Sequence, residues 1–341
     1  MFSFALGIGT QNTQGEWLEV YYPVPLLAPD ASLVKAASQV LDAPAGTSVV
    51  SFLPEDCAPL AEALREAGHE DQAELAETLA FSQRPLVATF LAEDSAPQSP
   101  PEVYLKLHLL SHRLVKPHGV DLTGMFGLLR NVAWTSEGPI DIDELPARRL
   151  KARLEGRTLS VDCVDKFPRM TDYVVPAGVR IGDASRVRLG AYLGEGTTVM
   201  HEGFVNFNAG TEGPGMIEGR ISAGVVVGKG SDLGGGCSTM GTLSGGGNIT
   251  IRVGEGCLIG ANAGIGIPLG DRCTVEAGLY VTAGAKVVVL DDKGQDVKTV
   301  TARDLAGQND LLLRRNSCNG RVECLTNKSA IALNEALHAH N

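Results

Sequence analysis

Apolar residues return every six positions along the middle third of this chain. Val175, Ile181, Val187, Leu193 and Val199 share one frame, Ile221, Val227 and Leu233 a second, Val253, Ile259 and Ile265 a third, and Leu269, Val275, Val281 and Val287 a fourth. A six-residue beat is the signature of a parallel β-helix. Each hexad supplies one short strand and a corner, and the beat residue points inward to stack on its equivalents in neighbouring coils. Glycine usage agrees: 27 of the 41 glycines lie between Gly182 and Gly284, many directly behind a beat residue, where a corner needs backbone that tolerates unusual φ. A disordered glycine-rich stretch would have neither the period nor the β-branched residues.

The two widest gaps in the beat read as inserted loops, at 200–220 and 234–252. The first carries His201, Glu202, Glu212, Glu218 and Arg220; the second is rich in Gly, Ser and Thr. Loops inserted into a solenoid gather on one face, which is commonly the binding face, so the site is expected there. A non-enzymatic scaffold would instead show uninterrupted coils and no clustered carboxylate and arginine.

Composition limits the partners. Lys and Arg total 29 against 40 Asp and Glu, a net charge of −11 that is the opposite of a nucleic-acid footprint. The seven cysteines are odd in number, scattered and never spaced C-x-x-C, which predicts reduced thiols in a cytoplasm rather than a disulfide frame or a zinc site. The first ten residues lack the basic start of a signal peptide, and no apolar run reaches membrane-spanning length, so neither is expected.

A chain of 341 residues has room for two or three domains. An α/β domain is expected over 1–110, with strands at 17–23, 48–53 and 85–91 and amphipathic helices at 59–69 and 71–81. The Pro- and Ser-rich stretch 93–101 reads as a surface loop, followed by a helix over 102–116. A helical connector is expected over 111–170, including a helix at 142–157, and the β-helix over 171–289. After Val287 the beat stops, and 290–295 reads as a hairpin tip opening a small C-terminal cap over 290–341, the polar cover that terminal coils need.

Three catalytic signatures fail on spacing or count. His201-Glu202 is not H-E-x-x-H, because Val205 stands four past His201. The run from Gly224 to Gly230 lacks P-loop spacing and a Ser or Thr after Lys229. His201 is the only histidine between Met170 and Val287, which excludes a three-histidine zinc site of the carbonic anhydrase kind. An acyltransferase using His201 as base on an amine or hydroxyl stays open.

Longer blocks are more specific. KFPRMTDYVVP at 166–176, MHEGFVNFNAGT at 200–211, EGR at 218–220, MGTLSGGG at 240–247, EAGLY at 276–280 and RRNS at 314–317 resemble the tetrahydrodipicolinate N-succinyltransferases, in the branch with a long N-terminal domain seen in pseudomonads and actinobacteria. The resemblance covers nearly the whole chain. It implies a left-handed β-helix, a homotrimer with active sites in grooves between neighbouring solenoids, and transfer of succinyl from succinyl-CoA to the amine of ring-opened tetrahydrodipicolinate in lysine and diaminopimelate biosynthesis, with no obligatory cofactor.

Aminolysis of a thioester needs a neutral amine, a group to take its proton or the acyl group, oxyanion donors, and cations for carboxylate-rich substrates. By the resemblance Glu218 is the family's catalytic glutamate, for which an acyl-anhydride role has been proposed; a general-base role fits the residues equally well. Arg220, Gly235, Ser238, Ala261, Glu276, Ala277, Gly284, Arg314, Arg315, Asn316 and Ser317 match succinyl-CoA-binding positions, where small residues suit a pantetheine arm lying close to backbone. Glu202 matches a glutamate that in relatives holds magnesium near the trimer axis together with an aspartate, whose place is taken here by Ser185. Read without the family, an E-x-R pair is commonly an exposed ion pair, and paired arginines on a cap are commonly solvated.

Overall fold

The computed structural model describes residues 1–241 and 250–326, in two compact units: residues 1–115 with 119–168, and residues 116–118 with 169 onward. The first is the α/β unit. Its antiparallel sheet has the order β2 (Trp17–Tyr21), β1 (Ser3–Gln11), β5 (Leu86–Leu91), β4 (Ser48–Phe52), with the short β3 (Leu26–Leu27) also pairing β1. Helices α1 (Ala31–Val40), α2 (Cys57–Glu66) and α3 (Glu70–Leu79) bury Leu33, Leu60, Leu64 and Ala76 with Phe4, Leu6 and Phe90 of the sheet. β1 is absent from the sequence reading because both its faces are covered, so it shows no polar alternation. On its other face Gly7 and Gly9 leave room for aromatic rings; a Cβ on Gly9 would stand 2.5 Å from the Trp17 ring.

Helix α4 (Pro100–Ser111) starts behind Ser99 with two prolines, whose missing N–H groups are orphan donors at that position anyway. It ends before the expected Lys116, because Arg113 turns into the left-handed region at φ 62°. Every residue from Pro101 to Ser111 is buried, so its polar side chains must be answered internally. Lys106 Nζ donates to Asp94 Oδ1 and to the carbonyls of Ser95 and Asp121 at 2.5 to 2.9 Å. His108 Nε2 accepts from the Tyr22 N–H at 3.2 Å, so Nδ1 carries the proton that bonds Tyr104 O. Burial pushes its pKa down to about 3, which keeps it neutral.

The expected helical connector is corrected. Segment 111–170 holds α5 (Met125–Leu128) and α6 (Leu145–Leu154), but also a three-stranded antiparallel sheet in the order β7 (Gly138–Asp141), β6 (Val132–Thr135), β8 (Val161–Asp165). These strands of four or five residues are too short to show a period. The tight β6–β7 hairpin turns at Gly138, φ 96°, and Trp134 Nε1 donates to Asp165 O across the sheet.

The second unit is a parallel β-helix. One ribbon stacks Thr197–Val199, Gly215–Ile217, Asp232–Leu233, Leu258–Ile259 and Thr274–Val275. A second stacks Tyr192–Leu193, Gly210–Thr211, Val226–Val227 and Arg252–Val253. A third stacks Phe204–Val205, Arg220–Ile221, Ser238–Thr239, Gly264–Ile265 and Tyr280–Val281. Pairing aligns beat residue with beat residue, as in Val199 with Ile217, Val227 with Val253 and Ile265 with Val281, and all of these are buried.

The first of the two expected inserted loops is also corrected. From Val199 the frame continues unbroken through Val205, Thr211 and Ile217, all interior, and only a four-residue step then leads to Ile221. Residues 200–220 are therefore ordinary coils. They escaped the count because a threonine occupies one interior position and because four replaces six once. In the second gap Thr239 keeps the frame of Leu233, but the next strand is Arg252–Val253, too far on for one hexad, so extra residues do fall within the expected loop; 242–249, with most of the block at 240–247, lie outside the described residues.

Inside the solenoid Thr197 and Thr211 share a hydrogen bond at 2.6 Å, and Gly194 N also reaches Thr211 Oγ1. Thr211→Val would restore an aliphatic beat yet is expected to cost about 1 kcal/mol in thermal or urea unfolding, the net worth of such a bond. A stability gain would show that the hydroxyl pair is dispensable.

The cap opens at the expected hairpin, between Lys286–Leu290 and Asp296–Thr301, with Gly294 at φ 77°. Leu311–Arg315 and Val322–Thr326 form a second hairpin that continues the first ribbon beyond Thr274–Val275. Its fastener is the buried Glu323, which accepts from Asn316, Arg321 and Arg314. The Asn316 hydrogen bond, followed by the two guanidiniums, pulls its carboxyl down to about 2.

Candidate active site

Where the first ribbon turns into the third, successive coils stack their corners into a column. Along it run Glu202, then Glu218-Gly219, Gly234 to Cys237, Gly260 to Ala263, Glu276 to Leu279, and finally Arg315 of the cap. Glu218 N bonds Leu233 O at 2.8 Å, Gly234 N bonds Ile259 O at 2.7 Å, Gly260 N bonds Val275 O at 2.8 Å and Glu276 N bonds Leu313 O at 2.9 Å. The Arg315 N–H then closes on Glu276 Oε2 at 2.6 Å. Residues scattered over a hundred positions in sequence thus become neighbours by coil stacking alone.

Gly219 is fixed by packing: a Cβ there would sit 2.2 Å from Cys237 Sγ. Burial pushes that thiol up to about 12, so it packs without ionising. With Gly219 pressed onto the next coil, Glu218 and Arg220 flank it at the corner and the start of the third ribbon. They do not pair with each other, because Arg220 Nη2 donates to Ser238 Oγ at 2.7 Å on the next strand of that ribbon. The expectation of a simple E-x-R ion pair is set aside.

A second carboxylate reaches the same place. A Cβ on Gly235 would lie 3.5 Å from Glu218 Oε2 and 3.7 Å from Glu202 Oε2, so both acids converge over one glycine. His201 turns the other way: its Nδ1 lies 3.4 Å from the Cβ position of Gly182, on the preceding coil. The corner therefore presents carboxylates, not an imidazole, to anything lying along the column.

The family model described as "Tetrahydrodipicolinate N-succinyltransferase middle" matches residues 129–169, and "Hexapeptide repeat of succinyl-transferase" matches residues 250–283. A 2,3,4,5-tetrahydropyridine-2,6-dicarboxylate N-succinyltransferase of Pseudomonas putida is 70% identical over all of this chain and 99% of its own length. The protein of that name from Vibrio cholerae is 59% identical over the full length of both. This chain belongs to the tetrahydrodipicolinate N-succinyltransferase family. A crystal structure from Campylobacter jejuni, provisionally described as a 2,3,4,5-tetrahydropyridine-2-carboxylate N-succinyltransferase, superposes with a TM-score of 0.87 at 33% identity, covering 97% of this chain and 93% of that one.

Against the succinyltransferase expectations, the column gathers Glu218, Gly235, Ala261, Glu276, Ala277 and Arg315, with Arg220 and Ser238 beside it on the third ribbon. Gly284 is not brought there. It lies past Val281, at the next corner of its coil, exposed and with open space around it. Of the cap residues, Arg314 and Asn316 are committed to Glu323, which leaves Arg315 and Ser317 as the exposed members of the four. Sequence reasoning missed Tyr280, whose hydroxyl lies 3.1 Å from Ser238 Oγ. Ser238, Gly264 and Tyr280 each stand one residue before an interior residue, and that arithmetic could have placed them on a common outer face.

The residues of one chain do not fit a magnesium site around Glu202. Ser185 donates its hydroxyl to Asp183 Oδ1 at 2.7 Å, and among the described residues no three His, Cys, Asp or Glu side chains are grouped for a metal.

Proposed function

We propose that the corner column is the active site of a succinyl-CoA-dependent N-succinyltransferase acting on the amine of ring-opened tetrahydrodipicolinate, the acylation step on the way to diaminopimelate and lysine. The observation that carries the reading is the column itself. It sets an unpaired carboxylate, Glu218, at one end of a strip of small residues, Gly235, Ala261 and Ala277, that ends at Arg315. Such a strip admits an extended thioester arm close to backbone, and the carboxylate stands where the acyl carbon would arrive.

In the transfer the neutral amine attacks the thioester carbonyl, a C–N bond forms, the C–S bond breaks, and CoA leaves as the thiol. Glu218 either removes the proton of the attacking amine in this direct transfer, or itself displaces CoA to form an anhydride that the amine then cleaves, releasing the carboxylate; both roles need the same ionised oxygen. No step is routed through a metal. The hand of the β-helix is taken as left-handed and the assembly as a homotrimer, with neighbouring chains completing each groove. All seven cysteines are free, in keeping with a cytoplasmic enzyme, and no helix among the described residues is long and apolar enough to cross a membrane.

Thiol release from succinyl-CoA tests the reading. Release is expected only when tetrahydrodipicolinate or its open amine is present, and only in the trimeric fraction. Equal turnover with acetyl-CoA and an unrelated amine would replace it with a general acyltransferase, for which His201 is the candidate base.

A further inference from the structure

The outer face of the third ribbon carries, strand by strand, Arg220, Ser238, Gly264 and Tyr280, in register with one another. Tyr280 does not point away from this face. Its ring lies flat over Gly264, where a Cβ would come within 2.3 to 2.5 Å of three ring carbons, and this brings the phenol back across one strand to Ser238 Oγ at 3.1 Å. Ser238 Oγ thus receives two donors, Tyr280 O–H and Arg220 Nη2–H at 2.7 Å. A serine hydroxyl has two acceptor sites and one proton. With both acceptor sites taken, its own O–H is left as a donor on a residue only 5% exposed, beside the remaining N–H groups of Arg220, which is exposed.

Donors grouped in this way, with no acceptor among them, suit a carboxylate. Arg220 follows Glu218 by two residues, across the corner where the first ribbon turns into the third. A four-carbon diacid can hold its acyl carbon at Glu218 and its free carboxylate at Arg220, whereas an acetyl group stops short. We propose that Tyr280 is a positioning residue that sets acyl specificity: by fixing Ser238 as a donor next to Arg220, it builds the receptor for the free carboxylate of the succinyl group. This rests on the column being the succinyl-transfer site.

The test is Tyr280→Phe, which keeps the ring over Gly264 and removes only the phenol oxygen. The preference in kcat/KM for succinyl-CoA over butyryl-CoA is expected to fall about five- to tenfold, as for one lost hydrogen bond, through KM for succinyl-CoA and with the thermal midpoint unmoved. Ser238→Ala should lower the same preference further, and adding Tyr280→Phe to it should change nothing more, because the phenol acts through that hydroxyl. An active parent whose preference is untouched by Tyr280→Phe, or a double variant in which the two losses simply add, overturns this inference and leaves the proposed function standing. A parent that releases no thiol from succinyl-CoA overturns the reading of the site beneath it.

Discussion

Replacing Glu218 by Gln should lower the single-turnover rate of succinyl transfer by about 10²- to 10⁴-fold, the range that a positioned acid–base group supplies, while succinyl-CoA still binds. The amide keeps the size and hydrogen bonding of the carboxylate but can neither take a proton nor form an anhydride. Packing should be indifferent, because what holds this corner is Gly219 against Cys237 and the bond from Glu218 N to Leu233 O, neither of which involves the side chain. Glu202→Gln is the informative partner, since its carboxylate reaches the same glycine. It is expected to alter the thermal midpoint more than the chemical step. If Glu202→Gln abolishes the step while Glu218→Gln keeps it, the two assignments are exchanged.

The largest expected loss of stability lies in the other unit. Lys106 is fully buried, and its ammonium ties Asp94, the Ser95 carbonyl and the Asp121 carbonyl together. Asp94 in turn accepts from Asp121 N, so one cation fastens two loops to the middle of α4. Lys106→Met keeps the aliphatic volume but strands a carboxylate and two carbonyls. Asp94 keeps its bonds from Asp121 N and its side chain is 30% exposed, so the expected cost is about 1–3 kcal/mol, less than for a pair buried on both sides. Both tryptophans, Trp17 and Trp134, belong to this unit, so urea unfolding followed by tryptophan fluorescence reports it selectively. A loss below about 1 kcal/mol would mean that water replaces the ammonium and that the network is not a fastener.

The solenoid was legible in the sequence because burial in a β-helix is written at fixed intervals, and the residues that break the code are few. Thr211 and Thr239 hid two interior positions by being polar, yet their hydroxyls are satisfied inside the coil. Short strands left no such trace: β6, β7 and β8 each offer too few residues for alternation, and β1 is covered on both faces. Among site residues, Glu218 and Arg220 came from a matched block, but their separation from each other did not. That depends on Ser238, 18 positions past Arg220, standing in register with it. Likewise nothing local to RRNS reveals that Glu323 claims Arg314 and Asn316, since the claim is made by the opposite strand of a hairpin.

The four-residue step from Ile217 to Ile221 has a wider meaning. Because every coil adds one interstrand spacing, about 4.8 Å, the corner column is graduated like a ruler, and an extended ligand laid along it would be measured in whole coils. Gain or loss of one complete coil would lengthen or shorten the seat by one graduation and leave every other contact in register. A shorter step, such as the one before Ile221, leaves the graduation intact and changes only how tightly that side of the coil is drawn. Evolution along this fold can therefore adjust the reach of the seat and the shape of its walls as separate variables.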